Sequence, residues 1–124
     1  MAYTAIVLDE DSAAGIVEIA RSLGLFADLK NPVTFAHHVT LAMGDHSARW
    51  TVGTPRVLKV VKVGWISCRV CAFMVEGASD SANSVPHITI AASEGVKPYE
   101  SNKIIFWHTL SVPFEIRGTI QVCK

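Results

Sequence analysis

Only one stretch of this chain has the period of a helix, and that limits the folds open to it. Ile16, Ile19, Ala20 and Leu23 fall on one helical face behind Asp9-Glu10-Asp11-Ser12, with Gly24 as the stop and Asp11 or Ser12 as the expected cap. Elsewhere, runs rich in Val, Ile, Thr and aromatic residues predict strands over 3–8, 35–43, 54–66, 69–75, 85–92, 104–111 and 114–123. Turns fall at Gly44-Asp45 and near Ser67, a small polar loop covers 77–83, and the loop over 93–102 closes in a helical turn. A doubly wound parallel sheet needs a helix between successive strands. The expected class is therefore α+β with mainly antiparallel sheets, and 124 residues predict a single domain.

Eleven basic and eleven acidic residues cancel, so the chain lacks the positive excess of a protein that grips long runs of phosphates. A nucleic ligand is expected to be short, single or terminal. The opening Met-Ala-Tyr-Thr-Ala-Ile-Val-Leu-Asp has no basic segment before its apolar run, and the run is too short for a signal core or a membrane span. A cytoplasmic protein with no membrane partner is expected. Cys68, Cys71 and Cys123 cannot all pair internally and are read as packing residues. Cys68-Arg-Val-Cys71 has the spacing of half a zinc site or of a redox pair, but nothing completes either one, so neither metal nor cofactor is expected.

The chain repeats itself once, at its most informative place. His38-Val39-Thr40-Leu41-Ala42 and His87-Ile88-Thr89-Ile90-Ala91 share the pattern His, aliphatic, Thr, aliphatic, Ala, and both lie in predicted strands. Successive side chains of a strand point to opposite faces, so each copy sets a His and a Thr on one face and aliphatic anchors on the other, with Met43 among the anchors of the first. Two imidazoles on either side of a phosphodiester are a chemically complete pair. One, neutral, takes a proton from the attacking water, and the other, protonated, gives one to the leaving oxygen, best near neutral pH. The Thr40 and Thr89 hydroxyls can hold the non-bridging oxygens and offset charge that grows in the transition state.

These paired His-x-Thr-x segments resemble the signature of the two-histidine (2H) phosphoesterase superfamily, which includes RNA 2′,3′-cyclic phosphodiesterases. The resemblance implies a bilobal α+β fold with pseudo-twofold symmetry, two mainly antiparallel sheets around a central cleft, and one motif in each lobe. A narrower likeness is to the small stand-alone "Swiss army knife" RNA-repair-like branch of phages and bacteria. It rests on Tyr3-Thr4-Ala5-Ile6-Val7-Leu8-Asp9, the doubled His37-His38, Met43-Gly44, and Gly95-Val96-Lys97-Pro98 leading to Ser101-Asn102.

The resemblance implies a phosphoric diester hydrolase that acts without a metal, with His38 and His87 catalytic and Thr40 and Thr89 on the phosphate. Its substrate is a 2′,3′-cyclic phosphate or a related nucleotide or short RNA end. Lys97, Ser101, Asn102 and Tyr3 are further candidates for substrate binding. Other readings of the same motifs are a phage-type enzyme that degrades cyclic oligonucleotide defence signals and a nucleotide-binding module without turnover. Which His is acid and which is base stays open, as does the oligomeric state. His37, on the opposite face from His38 in a regular strand, is expected inside as a structural residue, His46 in solvent, and His108 in packing or at the surface. Tyr3, Phe35, Tyr99 and Trp107 can stack on a base, but core burial is the favoured reading for each.

Overall fold

The computed structural model describes residues 2–124. Its elements are β1 (Tyr3–Leu8), α1 (Glu10–Ser22), β2 (Val33–Thr34), β3 (His38–Met43), β4 (Pro55–Ile66), β5 (Val70–Glu76), β6 (His87–Ala92), a 3-10 helix (Pro98–Lys103) and β7 (Trp107–Cys123). Every strand pairing is antiparallel, as expected. The strands run in the order β2-β6-β3-β1-β7-β4-β5, and a further β5–β6 pairing closes six of them into a barrel. The α+β class holds, but one closed sheet stands where two sheets around a cleft were expected. The two motif strands are therefore neighbours, paired at Val39 and Ile88.

Period-2 alternation decides what each strand buries. Ile6, Val39, Leu41, Phe73, Ile88, Ile90 and Ile120 belong to the main core, which the Ile16 and Ala20 face of α1 joins. The other face of β5 is covered as well. Val70 and Ala72 join Ala92 and Ile104 in a second, smaller cluster under Trp107. Gly64 makes room for that cover, since a side chain there would run into the Trp107 ring and Ile104.

Several expectations shift locally. Helix α1 begins at Glu10, so Asp11 and Ser12 lie inside its first turn, and the Asp9 side chain makes no cap. The Ser12 hydroxyl instead accepts a hydrogen bond from the Arg117 N–H at 2.8 Å, tying the helix to β7. Leu23 follows the helix and is 49% exposed, while Gly24 makes the stop at φ 76°. The strand expected from residue 35 starts only at His38, because Ala36 turns the backbone at φ 45°. The two late strands are one, β7. Val60 pairs with Phe114 and Lys62 with Thr109, so residues 110–113 bulge opposite Val61, where Pro113 has no ladder bond to lose.

Cys71 is buried, which pushes its thiol up to about 11, as suits a packing residue. Cys68 departs from that reading. It is exposed in the turn between β4 and β5 at φ 64°, where its N–H donates to the Asp28 carboxylate at 3.0 Å.

Candidate active site

In both motif strands the alternation comes out as read. Val39, Leu41, Ile88 and Ile90 are fully buried, and His38, Thr40, His87 and Thr89 are half-buried on the other face. The antiparallel pairing of Val39 with Ile88 sets each motif's His beside the other motif's Thr. All four side chains line one cavity of about 670 Å³. Tyr3, Ser101 and Asn102 line it too, whereas Lys97 is exposed and lies outside it.

His87 is held at both ring nitrogens. Its Nδ1–H donates to the Val85 carbonyl at 2.6 Å, and its Nε2 lies 3.0 Å from the Ser101 hydroxyl. A carbonyl can only accept, so the proton of neutral His87 is on Nδ1. Ser101 also lies 2.6 Å from the Thr89 hydroxyl and 2.9 Å from the Pro98 carbonyl. The 3-10 helix that carries Ser101 is clamped to the turn before β5 by a bidentate pair, with Arg69 donating from Nε to Glu100 at 2.7 Å and from its terminal nitrogen at 2.8 Å.

His38 has a different setting. Its Nδ1 lies 3.0 Å from Nδ1 of His37, and its ring stands 4.9 Å from the Tyr3 ring. His37 was expected inside, but it is exposed and lines the cavity, because the backbone turn at Ala36 precedes it and the regular strand starts after it. Met43, expected among the buried anchors, is 63% exposed and lines the cavity as well. His46 and His108 are exposed, as read; His108 stacks on Trp65 with ring centroids 4.8 Å apart.

The charge state follows from this packing. Burial, then the His37 and His87 imidazoles, push His38 down to about 4. Burial lowers His87 as well, with the Val85 carbonyl pulling the other way. Both imidazoles are thus neutral in the ligand-free protein at neutral pH, each able to take a proton. None of the residues lining the cavity is Lys or Arg, so positive charge there has to come from His37, His38 or His87.

Sequence reasoning missed or misjudged some of the lining. Asn83 gave no signal beyond its polar loop; its side chain donates to Asn102 Oδ1 at 3.3 Å across the cavity rim. Tyr99 is 63% exposed and lines the cavity instead of joining the core, and Phe35 both lines the cavity and packs on the second cluster. Trp107 joins that cluster, as favoured, with its ring 6.0 Å from that of His87.

Residues 56–112 match the model of the fungal tRNA ligase phosphodiesterase domain, a family within the two-histidine phosphoesterase superfamily. The match covers 57 of the 124 residues and is a similarity of that segment. It spans β4 to the start of β7 and so carries His87, Thr89 and Ser101, while His38 and Thr40 lie ahead of it. At the level of the family, the match supports a phosphodiesterase. No curated protein and no solved structure matches the chain.

Proposed function

We propose that the protein hydrolyses a 2′,3′-cyclic phosphate or a related phosphodiester at a nucleotide or RNA end. The observation that carries this reading is the convergence of both His-x-Thr pairs on one cavity. Agreement with a family named for the phosphodiesterase domain of a tRNA ligase supports it. In the proposed reaction one of His38 and His87, neutral, takes a proton from water as its oxygen bonds to phosphorus. The other, protonated, gives a proton to the ribose oxygen as the bond from phosphorus to that oxygen breaks. Thr40 and Thr89 hold the non-bridging oxygens, and Tyr3 and Asn102 take part in holding the nucleoside. The reaction draws on no metal in this reading.

The cavity also fits the charge of the substrate. A cyclic phosphodiester carries one negative charge and its monoester product nearly two, so a site without Lys or Arg leans toward substrate over product. The test is turnover of nucleoside 2′,3′-cyclic phosphates, cyclic dinucleotides and cyclic trinucleotides by the wild type, His38→Ala and His87→Ala, with and without EDTA. The expected result is opening of the 2′,3′-cyclic substrates, at least about 10³-fold slower in either variant and unchanged by EDTA. Cleavage confined to the cyclic oligonucleotides moves the reading to degradation of signals of that kind. Ligand bound and recovered intact makes the protein a binding module.

A further inference from the structure

We propose that Ser101 is a positioning residue for His87, its buried hydroxyl holding the imidazole of the ligand-free site in place in both protonation states and yielding Nε2 to the substrate when the cavity fills. The proposal rests on the acid–base reading of His87, and it redefines Ser101, first considered as a substrate contact. Ser101 is only 2% exposed, so little of it is open to a ligand. Its hydroxyl is within hydrogen-bond distance of His87 Nε2 at 3.0 Å, Thr89 Oγ1 at 2.6 Å and the Pro98 carbonyl at 2.9 Å.

One hydroxyl proton cannot serve all of these acceptors at once, and that is the useful property. While His87 is neutral, Nε2 is a lone pair. Ser101 then donates to it and accepts from the Thr89 hydroxyl. When His87 takes a proton from the cavity, Nε2–H becomes a donor. Ser101 then accepts from it and turns its own proton to the Pro98 carbonyl, while Val85 goes on accepting from Nδ1–H. Only a hydroxyl rotation separates the two arrangements, and neither leaves a buried polar atom without a partner. Ala could not do this, and a group that only donates would oppose the charged form.

Few other charges face His87. From β3 comes His38, with His37 beyond it; β5 sets Met74 opposite, and β7 brings the Trp107 ring. On the short helix Glu100 is engaged by Arg69, with Lys103 nearby. The bond that Ser101 accepts from the imidazolium is charge-assisted and stronger than the one it donates to the neutral ring, so its net effect favours the charged form.

The experiment is nitrogen-15 NMR of the His87 ring over pH in the wild type and in Ser101→Ala, alongside pH profiles of kcat/KM. In the wild type, neutral His87 should carry its proton on Nδ1. In Ser101→Ala its titration should move to lower pH by about half a unit to one unit. The limb of the rate profile that belongs to His87 should move the same way. A wild-type ring protonated on Nε2 when neutral overturns the proposal without any variant. A folded Ser101→Ala whose His87 titrates as before also overturns it, leaving Ser101 with the structural task of closing the 3-10 helix. The NMR arm needs no substrate. A wild type without turnover therefore defeats the phosphodiesterase reading and leaves this test standing.

Discussion

Replacing His38 by Asn should make the protein less sensitive to mild acid, by an amount that follows from the imidazole's surroundings. In the folded chain His38 is held near 4, against an ordinary 6.5, by burial and by its two imidazole neighbours. The unfolded chain therefore binds the proton more readily, and stability that is complete above pH 6.5 is lost as the pH falls toward 4. At 1.36 kcal/mol per unit the full loss has a ceiling of about 3 kcal/mol, and about 2 kcal/mol of it falls between pH 7 and pH 5. His38 is half-buried, so water screens part of this and about 1–2 kcal/mol is the working expectation over that interval. Urea unfolding of the wild type and of His38→Asn at pH 7 and pH 5 measures it. The interval lies above the range where most carboxylates titrate, and His87 is common to both proteins. Subtracting the two losses therefore isolates His38. Equal acid sensitivity of the two proteins would refute the reasoning, since it would mean that His38 titrates in the fold as it does in the open chain.

Other outcomes follow from the same structure. The singly protonated form of the His38–His87 pair peaks between their lowered titrations, so kcat/KM should peak below pH 6.5 instead of near neutrality, and a pH–rate profile checks it. Asp80→Ala should cost about 2 kcal/mol in urea unfolding, because it strands Arg56, which now donates to both carboxylate oxygens at 3.1 and 2.5 Å, and the Trp50 indole N–H at 2.8 Å. Gly118→Ala should destabilise by about 3 kcal/mol or more, since its methyl group would run into the Val7 carbonyl where β7 pairs with β1. Thermal unfolding of that variant checks it.

How far the sequence could be read depended on how local each cause was. The alternation of His38-Val39-Thr40-Leu41 and of His87-Ile88-Thr89-Ile90 is a property of neighbours in the chain, and it gave both the buried anchors and the polar faces. The same held for β1, β4 and β5, whose ends fall within a residue or so of the expected ones. What could not be read locally was the closing of the sheet. Pairing of β5 with β6 joins residues such as Phe73 and Ile88, and no periodicity says which strands meet. Nor does the sequence announce that Ala36 takes a positive φ, since that conformation is uncommon for Ala, and this single turn put His37 in the cavity. The strands expected over 104–111 and 114–123 are one element because a bulge opposite Val61 carries the chain through Pro113, and no local pattern foretold it. Ser101 was legible only through family resemblance, and its burial behind His87 and Thr89 depends on the 3-10 helix that Arg69 and Glu100 hold down.

In the proposed reaction one phosphorus lies between the two imidazoles. The most direct measurement is a crystal structure with a nucleoside 2′-monophosphate bound. The expected result is a phosphate with its oxygens within about 3 Å of a ring nitrogen of His38 and a ring nitrogen of His87, and with the Thr40 and Thr89 hydroxyls turned toward it. A phosphate held by one imidazole alone, or seated away from both, would contradict it.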